Sequence, residues 1–304
     1  LIRCALDIGT NSSLFLLAEV EDNGRIHPRR HEVRTNDLGR GLDAQNRLTD
    51  ATIALNLELL RDFRRVADEG GARDIIIAGT EALRRAANAA VLMERAQNEL
   101  GLMIRIISGE EEAALTYLGV ISGLLETNQP RVVADVGGGS TEIILGRGHR
   151  RVKSESLPLG AVSLDRQYIK HDPPSSEEIE AIKRQVGKHL AGSMLGKINQ
   201  EAEWIICGGT ASALASADLG LTDYQPERIA GHQMTRARLE RFIHQFCRAT
   251  LEERRGIPGI GRRRAEIILP GSLIIHELMK AAGIEAYQTS ERGLRYGLLL
   301  TGAL

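Results

Sequence analysis

Short apolar runs broken by glycine-rich turns alternate along this chain with longer stretches whose apolar residues recur at helical spacing. Residues 2–20 read as two strands around a polar turn, and Asn23-Gly24 is a hairpin signal leading into a third strand over Arg25–Val33. Leu48–Asp68 carries Ile53, Leu57, Leu60, Arg64 and Ala67 on one helical face. Thr49 or Asp50 caps that helix and Gly70-Gly71 stops it. Asp74–Ala78 is a short apolar strand of the kind found in sheets covered on both faces. A helix begins within Gly79–Asn88 at that strand's C-terminal end. Met103–Ile107 is a further strand, and a helix capped by Ser108 follows it to Ser122.

The second half starts after Gly123–Pro130, a stretch with the composition of a domain boundary, which divides the chain into 1–123 and 124–304. Val132–Leu145 reads as strand, turn and strand. A hairpin at Gly146–His149 leads to a third strand over Val152–Leu157, and a helix capped by Ser175 or Ser176 runs to Ile198. Trp204–Ala211 is a strand entering another glycine turn, Ile229–Met234 a brief strand, and Thr235–Cys247 a helix. Strands interleaved with helices predict an α/β fold.

The turn inside Val132–Leu145 carries the chemistry. Gly137, Gly138 and Gly139 let the backbone take dihedrals closed to other residues and let an anion approach main-chain N–H groups. Ser140 and Thr141 add hydroxyls, and Asp135 and Glu142 bracket the turn. Those carboxylates would repel a phosphate unless a divalent cation stood between, so the group reads either as a phosphate–metal site or as a glycine-rich hairpin with no ligand. An internal repeat favours the first reading. Cys4–Leu17 aligns without gaps on the same stretch: Asp7 falls on Asp135, Gly9 on Gly137 and Ser12 on Ser140. Thr10 and Asn11 complete that earlier turn. Two copies imply two similar domains.

Asp-x-Gly-Thr-Asn-Ser from Asp7 and Asp-x-Gly-Gly-Gly-Ser-Thr-Glu from Asp135 resemble the two phosphate motifs of the sugar kinase, Hsp70 and actin superfamily. Within it the chain resembles, nearly end to end, the exopolyphosphatase/guanosine pentaphosphate phosphohydrolase (Ppx/GppA) family. Thr80-x-x-x-Arg84-x-Ala86-x-Asn88 is similar to a family segment whose arginine faces substrate phosphate. Thr80 and Asn88 would hold its helix start. Ser108-Gly-x-Glu-Glu112-Ala113 is similar to the segment whose last glutamate is the catalytic base, which implies that role for Glu112. Gly208, Gly209 and Thr210 resemble the superfamily's nucleotide-side turn, and Arg40 is either a phosphate contact or a solvated loop arginine. Arg264–Gly271 and Ser290–Gly297 match the family's closing segments, with Tyr296 where the family has glutamate.

The resemblance implies two ribonuclease H-like, actin-like ATPase domains facing across a cleft, in the short form without C-terminal helical extensions. It implies release of orthophosphate from inorganic polyphosphate, with Glu112 activating water and Mg²⁺, or Mn²⁺, held by Asp135 and Glu142. Guanosine pentaphosphate or tetraphosphate is the alternative ligand, a non-catalytic sensor the alternative class, and a homodimer the family expectation. Without the long form's extension, short polyphosphate chains should be preferred.

Composition narrows the rest. A net charge of −1 gives no global pull toward nucleic acid or membrane, so a polyanion site needs locally concentrated cations. Arg254, Arg255 and Arg262–Arg264 form the densest such cluster in the sequence, either a polyanion guide or solvated surface. Aromatics at 3% speak against base-stacking platforms. Cys4, Cys207 and Cys247 are isolated, without metal spacing or a disulfide framework, which points to a reducing cytoplasm.

Overall fold

The structure is a computed structural model and describes residues 1–198 and 201–301. The chain forms two compact units, Leu1–Leu124 with Arg292–Leu304, and Leu125–Glu291. The sequence-based division kept residues 292–304 with the second domain; in the structure Arg292–Thr301 belong to the first unit.

The first unit contains strands β1 (Ile2–Ile8), β2 (Ser12–Val20), β3 (Ile26–Thr35), β4 (Ile75–Gly79) and β5 (Ile104–Ile106) in the order β3-β2-β1-β4-β5. Helices α1 (Asp50–Glu69), α2 (Glu81–Arg85), α3 (Ala89–Leu100) and α4 (Gly109–Ile121) follow their strands, and the C-terminal helix of the chain (Leu294–Thr301) completes the unit. The period of two in the strands explains the layering. Cys4, Leu6, Ile8 and Ile77 pack into one cluster with Ile53, Leu57 and Leu92 of α1 and α3. The intervening Ala5, Ile76 and Ala78 pack into another with Leu115 of α4 and Leu298 of the C-terminal helix. Both faces are therefore covered.

The C-terminal helix sits close against α4. A Cβ on Gly297 would lie 2.0 Å from the Leu115 carbonyl, and one on Gly119 would lie 2.1 Å from the Gly293 carbonyl. Glycine at these positions lets the two backbones meet. Tyr296 is buried there, with the Arg292 guanidinium 4.7 Å from its ring centre, a cation–π contact.

The second unit repeats the plan. Strands β6 (Pro130–Val136), β7 (Thr141–Arg147), β8 (Arg150–Leu157), β9 (Glu203–Cys207), β10 (Gln233–Thr235) and β11 (Ala286–Thr289) run β8-β7-β6-β9-β11-β10. In both sheets the first three strands are antiparallel, and the central strand pairs in parallel with the next across a crossover. Helices α5 (Ala161–Tyr168), α6 (Ser176–Ala191), α7 (Gly209–Asp218), α8 (Pro226–Ile229), α9 (Arg236–Arg248), α10 (Leu251–Arg255) and α11 (Arg264–Ala282) surround it, and the C-terminal helix is numbered α12.

Two elements differ from expectation, and a third was not foreseen. α6 ends at Ala191, capped by Gly192, short of Ile198. The brief strand expected at Ile229–Met234 is displaced to Gln233–Thr235, because Pro226 starts a single helical turn that ends at Ile229. α11, buried along most of its length, shows no polar face for a periodicity argument to find, and it carries Pro270 inside it.

Candidate active site

The candidate residues fall into two sets, one in each unit. In the first unit Asp7 lies one residue before the end of β1, and the turn after that strand is closed by Gly9 N–H donating to the Ser12 carbonyl at 3.0 Å. The Thr10 and Asn11 N–H groups donate to no main-chain acceptor among the described residues, so they are open to an anion. Asn11 Nδ2 donates to Ser12 Oγ at 3.1 Å. Thr10 Oγ1 donates to Glu81 Oε2 at 3.0 Å, so the turn is tied to α2.

Asn36, which pattern reasoning passed over inside a loop, buttresses this turn. It is fully buried. Its amide donates to the Gly9 carbonyl at 2.8 Å and to Ser13 Oγ at 3.1 Å, and its main-chain N–H donates to the Asn11 carbonyl at 3.1 Å. Arg40 lies exposed in the same loop, where Gly39 N–H reaches the Thr10 carbonyl at 2.7 Å.

Arg84 and Glu112, picked from separate segments, meet in space. Arg84 Nη1 donates to Glu112 Oε2 at 2.7 Å and to the Ile107 carbonyl at 2.9 Å. The triple-glutamate start of α4 is sorted by its surroundings. Ser108 caps the helix by accepting the Glu111 N–H at 3.1 Å. Glu110 is exposed, Glu111 pairs with Arg105, and Glu112 alone is buried. Thr80 Oγ1 donates back to the Ile8 carbonyl at 3.3 Å, not to the helix start. Asn88 likewise makes no cap. Its side chain brackets Leu48 through N–H···Oδ1 at 2.7 Å and Nδ2–H···O at 3.0 Å, and so pins the loop before α1.

In the second unit the same turn recurs, with Gly137 N–H donating to the Ser140 carbonyl at 3.0 Å. The start of α5 fixes its orientation. Ala161 N–H donates to the Gly137 carbonyl at 3.0 Å and Val162 N–H to the Gly138 carbonyl at 2.9 Å. With those carbonyls engaged, the N–H groups of Gly138 and Gly139 are left without a main-chain acceptor among the described residues. Ser140 is buried beside them. Thr141, expected to face a ligand, is fully buried and its hydroxyl donates to the Leu159 carbonyl at 2.6 Å, so it anchors the strand instead.

Asp135 and Glu142 stand directly opposite each other on β6 and β7. Like charges in that position destabilise an antiparallel pair. Glu142 is 2% exposed and accepts a hydrogen bond from Ser156 Oγ at 2.7 Å. On the other side of Asp135 lies Cys207 of β9, whose thiol is pushed well up, first by burial and then by the charges of Asp135, Glu142 and Glu291. That thiol is inert, and its environment registers the acidity of this corner. Among the described residues no three carboxylate, imidazole or thiolate groups form a ready-made metal cage. Two carboxylates suit Mg²⁺, which keeps several waters and takes its remaining ligands from substrate phosphate.

Gly208 follows with φ +93°, and a Cβ there would lie 2.7 Å from the Val136 carbonyl and 2.8 Å from Asp135 Oδ1. Only glycine fits. Gly209 begins α7 with its N–H unengaged by main chain among the described residues, and the Arg264 guanidinium lies against it, so close that a Cβ would fall 2.1 Å from Nη2. Burial alone pulls the Arg264 pKa down to about 10, and no carboxylate pairs with it among the described residues. The Thr210 side chain is fully buried and packs on Gly271. The rest of the arginine cluster is largely neutralised: Arg254 pairs with Asp172, and Arg255 with Glu252 and Glu266. Glu291 was also invisible in the sequence. It accepts from the Ser212 and Tyr224 hydroxyls and steadies the first turn of α7.

The sequence profile of the Ppx/GppA phosphatase family matches residues 17–304. The chain belongs to the Ppx/GppA phosphatase family. Exopolyphosphatase 2 of Mycobacterium tuberculosis is 29% identical over 310 residues, covering 98% of this chain and 97% of that protein. The crystal structure of the Aquifex aeolicus family member superposes with a TM-score of 0.84 at 28% identity, over 99% of this chain and 97% of that one. An exopolyphosphatase from Cytophaga hutchinsonii gives 0.89 at 25% identity, over 100% and 99%. The architecture is thus the ribonuclease H-like, actin-related one of Ppx/GppA structures. Arg84, Glu112, the second glycine turn and the Gly208 turn all lie within the family match; the first turn precedes it. Among the described residues no helix is long and apolar enough to cross a membrane.

Proposed function

We propose that this Ppx/GppA member is an exopolyphosphatase that removes terminal orthophosphate from inorganic polyphosphate. The observation that carries the reading is the Arg84–Glu112 pair near the start of α4, a cation suited to phosphate in direct contact with a buried carboxylate able to take a proton from water. Its relatives named as exopolyphosphatases cover nearly the whole chain.

Phosphoanhydride cleavage asks for positioned groups and neutralised charge more than for covalent help. In the first unit the unengaged N–H groups of Thr10 and Asn11 bind phosphate oxygens with the Ser12 hydroxyl beside them, and in the second unit those of Gly138 and Gly139 do so with the Ser140 hydroxyl beside them. Arg84 binds a terminal phosphate oxygen. Glu112 accepts a proton from the water whose oxygen attacks the terminal phosphorus in line. The P–O bond to the chain breaks, and the shortened polyphosphate leaves as the anion. Asp135 and Glu142 would hold Mg²⁺, which supplies charge neutralisation at the phosphate oxygens when bound.

A second reading, removal of the 5′-terminal phosphate of guanosine pentaphosphate, is favoured by one observation. The unpaired Arg264 against Gly209 offers a cation and free N–H groups to a nucleotide's phosphate. Orthophosphate release in Mg²⁺ from long polyphosphate and from guanosine pentaphosphate, beside the Glu112→Gln variant, decides between them. The expected result is release mainly from polyphosphate and its loss in the variant. Release mainly from the nucleotide moves the assignment to alarmone turnover. Binding of either ligand without release makes the protein a sensor.

A further inference from the structure

The two sheets offer an internal comparison. β3 and β8 occupy the same edge position in the repeated strand order. Exposed edge strands carry charges as protection against pairing with other chains, so arginines on them need no further explanation in themselves. The two edges differ in how those charges are balanced. Around β3, Arg29 pairs with Glu19 at 2.7 Å, Arg30 with Glu32 at 2.6 Å and Arg34 with Glu32 at 2.9 Å. Around the tip of the β7–β8 hairpin the segment Ile143–Ser154 contains Arg147, Arg150, Arg151 and Lys153 and no acidic residue.

Register sharpens the contrast. Arg147 stands directly opposite Arg150, and Lys153 directly opposite Leu145, two residues before Arg147 on β7. Directly opposed residues share a face, so Arg147 and Arg150 stand together at the tip, and Lys153 follows on β8 just beyond the break in register between Leu145 and Gly146. All three are exposed, and none pairs with a carboxylate among the described residues. Like charges facing across an antiparallel pair cost stability. A protective edge needs charge, not uniform charge, and β3 shows the balanced solution within the same molecule.

We propose that the β7–β8 hairpin tip is an accessory polyanion site that holds the body of a polyphosphate chain away from its reacting end. The occupant follows from charge complementarity. A flexible chain carrying one charge on each short unit can follow three cations along a hairpin, and the 3% aromatic content offers little for stacking nucleobases. The proposal rests on the exopolyphosphatase reading for its ligand.

The test combines Arg147→Ala, Arg150→Ala and Lys153→Ala in one variant, with thermal melting as a fold check and the triple exchange Arg147→Lys, Arg150→Lys, Lys153→Arg as a charge-conserving control. The expected result is a KM for long-chain polyphosphate raised on the order of tenfold at low salt, with kcat and the KM for the shortest cleavable oligophosphate unchanged. With about 0.7 counterions released per contact on a single strand, the log–log salt slope of long-chain binding should be shallower by about 2. The control should behave as wild type. Unchanged long-chain KM and salt slope in a well-folded alanine variant would overturn the proposal, as would equal losses on long and short substrates. Direct binding of long polyphosphate in a Glu112→Gln background separates the two hypotheses. Hairpin-dependent binding without any phosphate release from polyphosphate by wild type sinks the enzymatic reading and leaves the site standing. Tighter hairpin-dependent binding of a single-stranded oligonucleotide of equal phosphate number would reject polyphosphate as the occupant.

Discussion

Three consecutive glutamates begin α4, and their fates show how surroundings assign roles that residue type leaves open. Helix-dipole and capping arguments apply to all three. Only Glu112 is turned inward onto Arg84. Glu112→Gln should therefore lower phosphate release by about 10² to 10⁴-fold, the usual worth of general-base help, while the protein keeps its fold, read by circular dichroism. Glu111→Gln should lose no more than a surface pair is worth, about 0–1 kcal/mol of stability, and keep its rate. Asp135 and Glu142 offer a second test. Facing one another across β6 and β7, they should repel when no cation is present, so Asp135→Asn should raise the melting temperature of metal-free protein. It should also abolish the stabilisation that Mg²⁺ gives wild type, read as the melting shift on adding the ion. The two glycine turns were legible because short motifs carry them, and a motif of the same kind singled out Glu112 for the role proposed above. Asn36, Glu81, Glu291 and the special position of Arg264 were not, because each acts through partners distant in sequence, which no local pattern records.

At the scale of elements, strands and amphipathic helices were read from their periods, whereas α11 and α12 were not, being buried on nearly every side. Packing supplies the missing logic for α12. Gly297→Ala would drive a methyl into the Leu115 carbonyl and should lower stability by about 1–3 kcal/mol, measured by denaturant unfolding. A pH-dependent contact joins α9 to α11. His276 Nε2 lies 3.1 Å from Glu240 and its Nδ1 3.1 Å from Glu277, which in turn meets Lys280 at 3.1 Å. Glu277 first, then Glu240, raise the pKa of His276, while His276 and Lys280 hold Glu277 down. A raised histidine stabilises fully below its unfolded pKa of 6.5, and that contribution fades as pH climbs through the higher folded value. The lowered Glu277 contributes above 4.5 and loses it as pH falls through its folded value. His276→Gln should therefore cost more stability at about pH 5.5 than at about pH 8.5, and the two melting curves should converge with rising pH.

Over the whole molecule, the repeat seen in a fourteen-residue alignment extends to whole sheets. Matching strand order, matching parallel partners and the same Gly–Ser turn closure at 3.0 Å recur in both units. Chelation of divalent ions should stop phosphate release without changing the far-ultraviolet circular dichroism, because both sheets are held by apolar cores. Added Mg²⁺ should restore the rate. The return of α12 to the first unit was hidden from the sequence, since a boundary at Gly123–Pro130 is visible locally while a closing segment from the far end is not. That return orders events during synthesis. A ribosome completes Leu125–Glu291 before it has made the helix that covers Ala5, Leu16 and Leu115. The domain whose polypeptide emerges first is thus the last to close, and a chain truncated before residue 292 should carry a folded second domain and a first one still sensitive to protease.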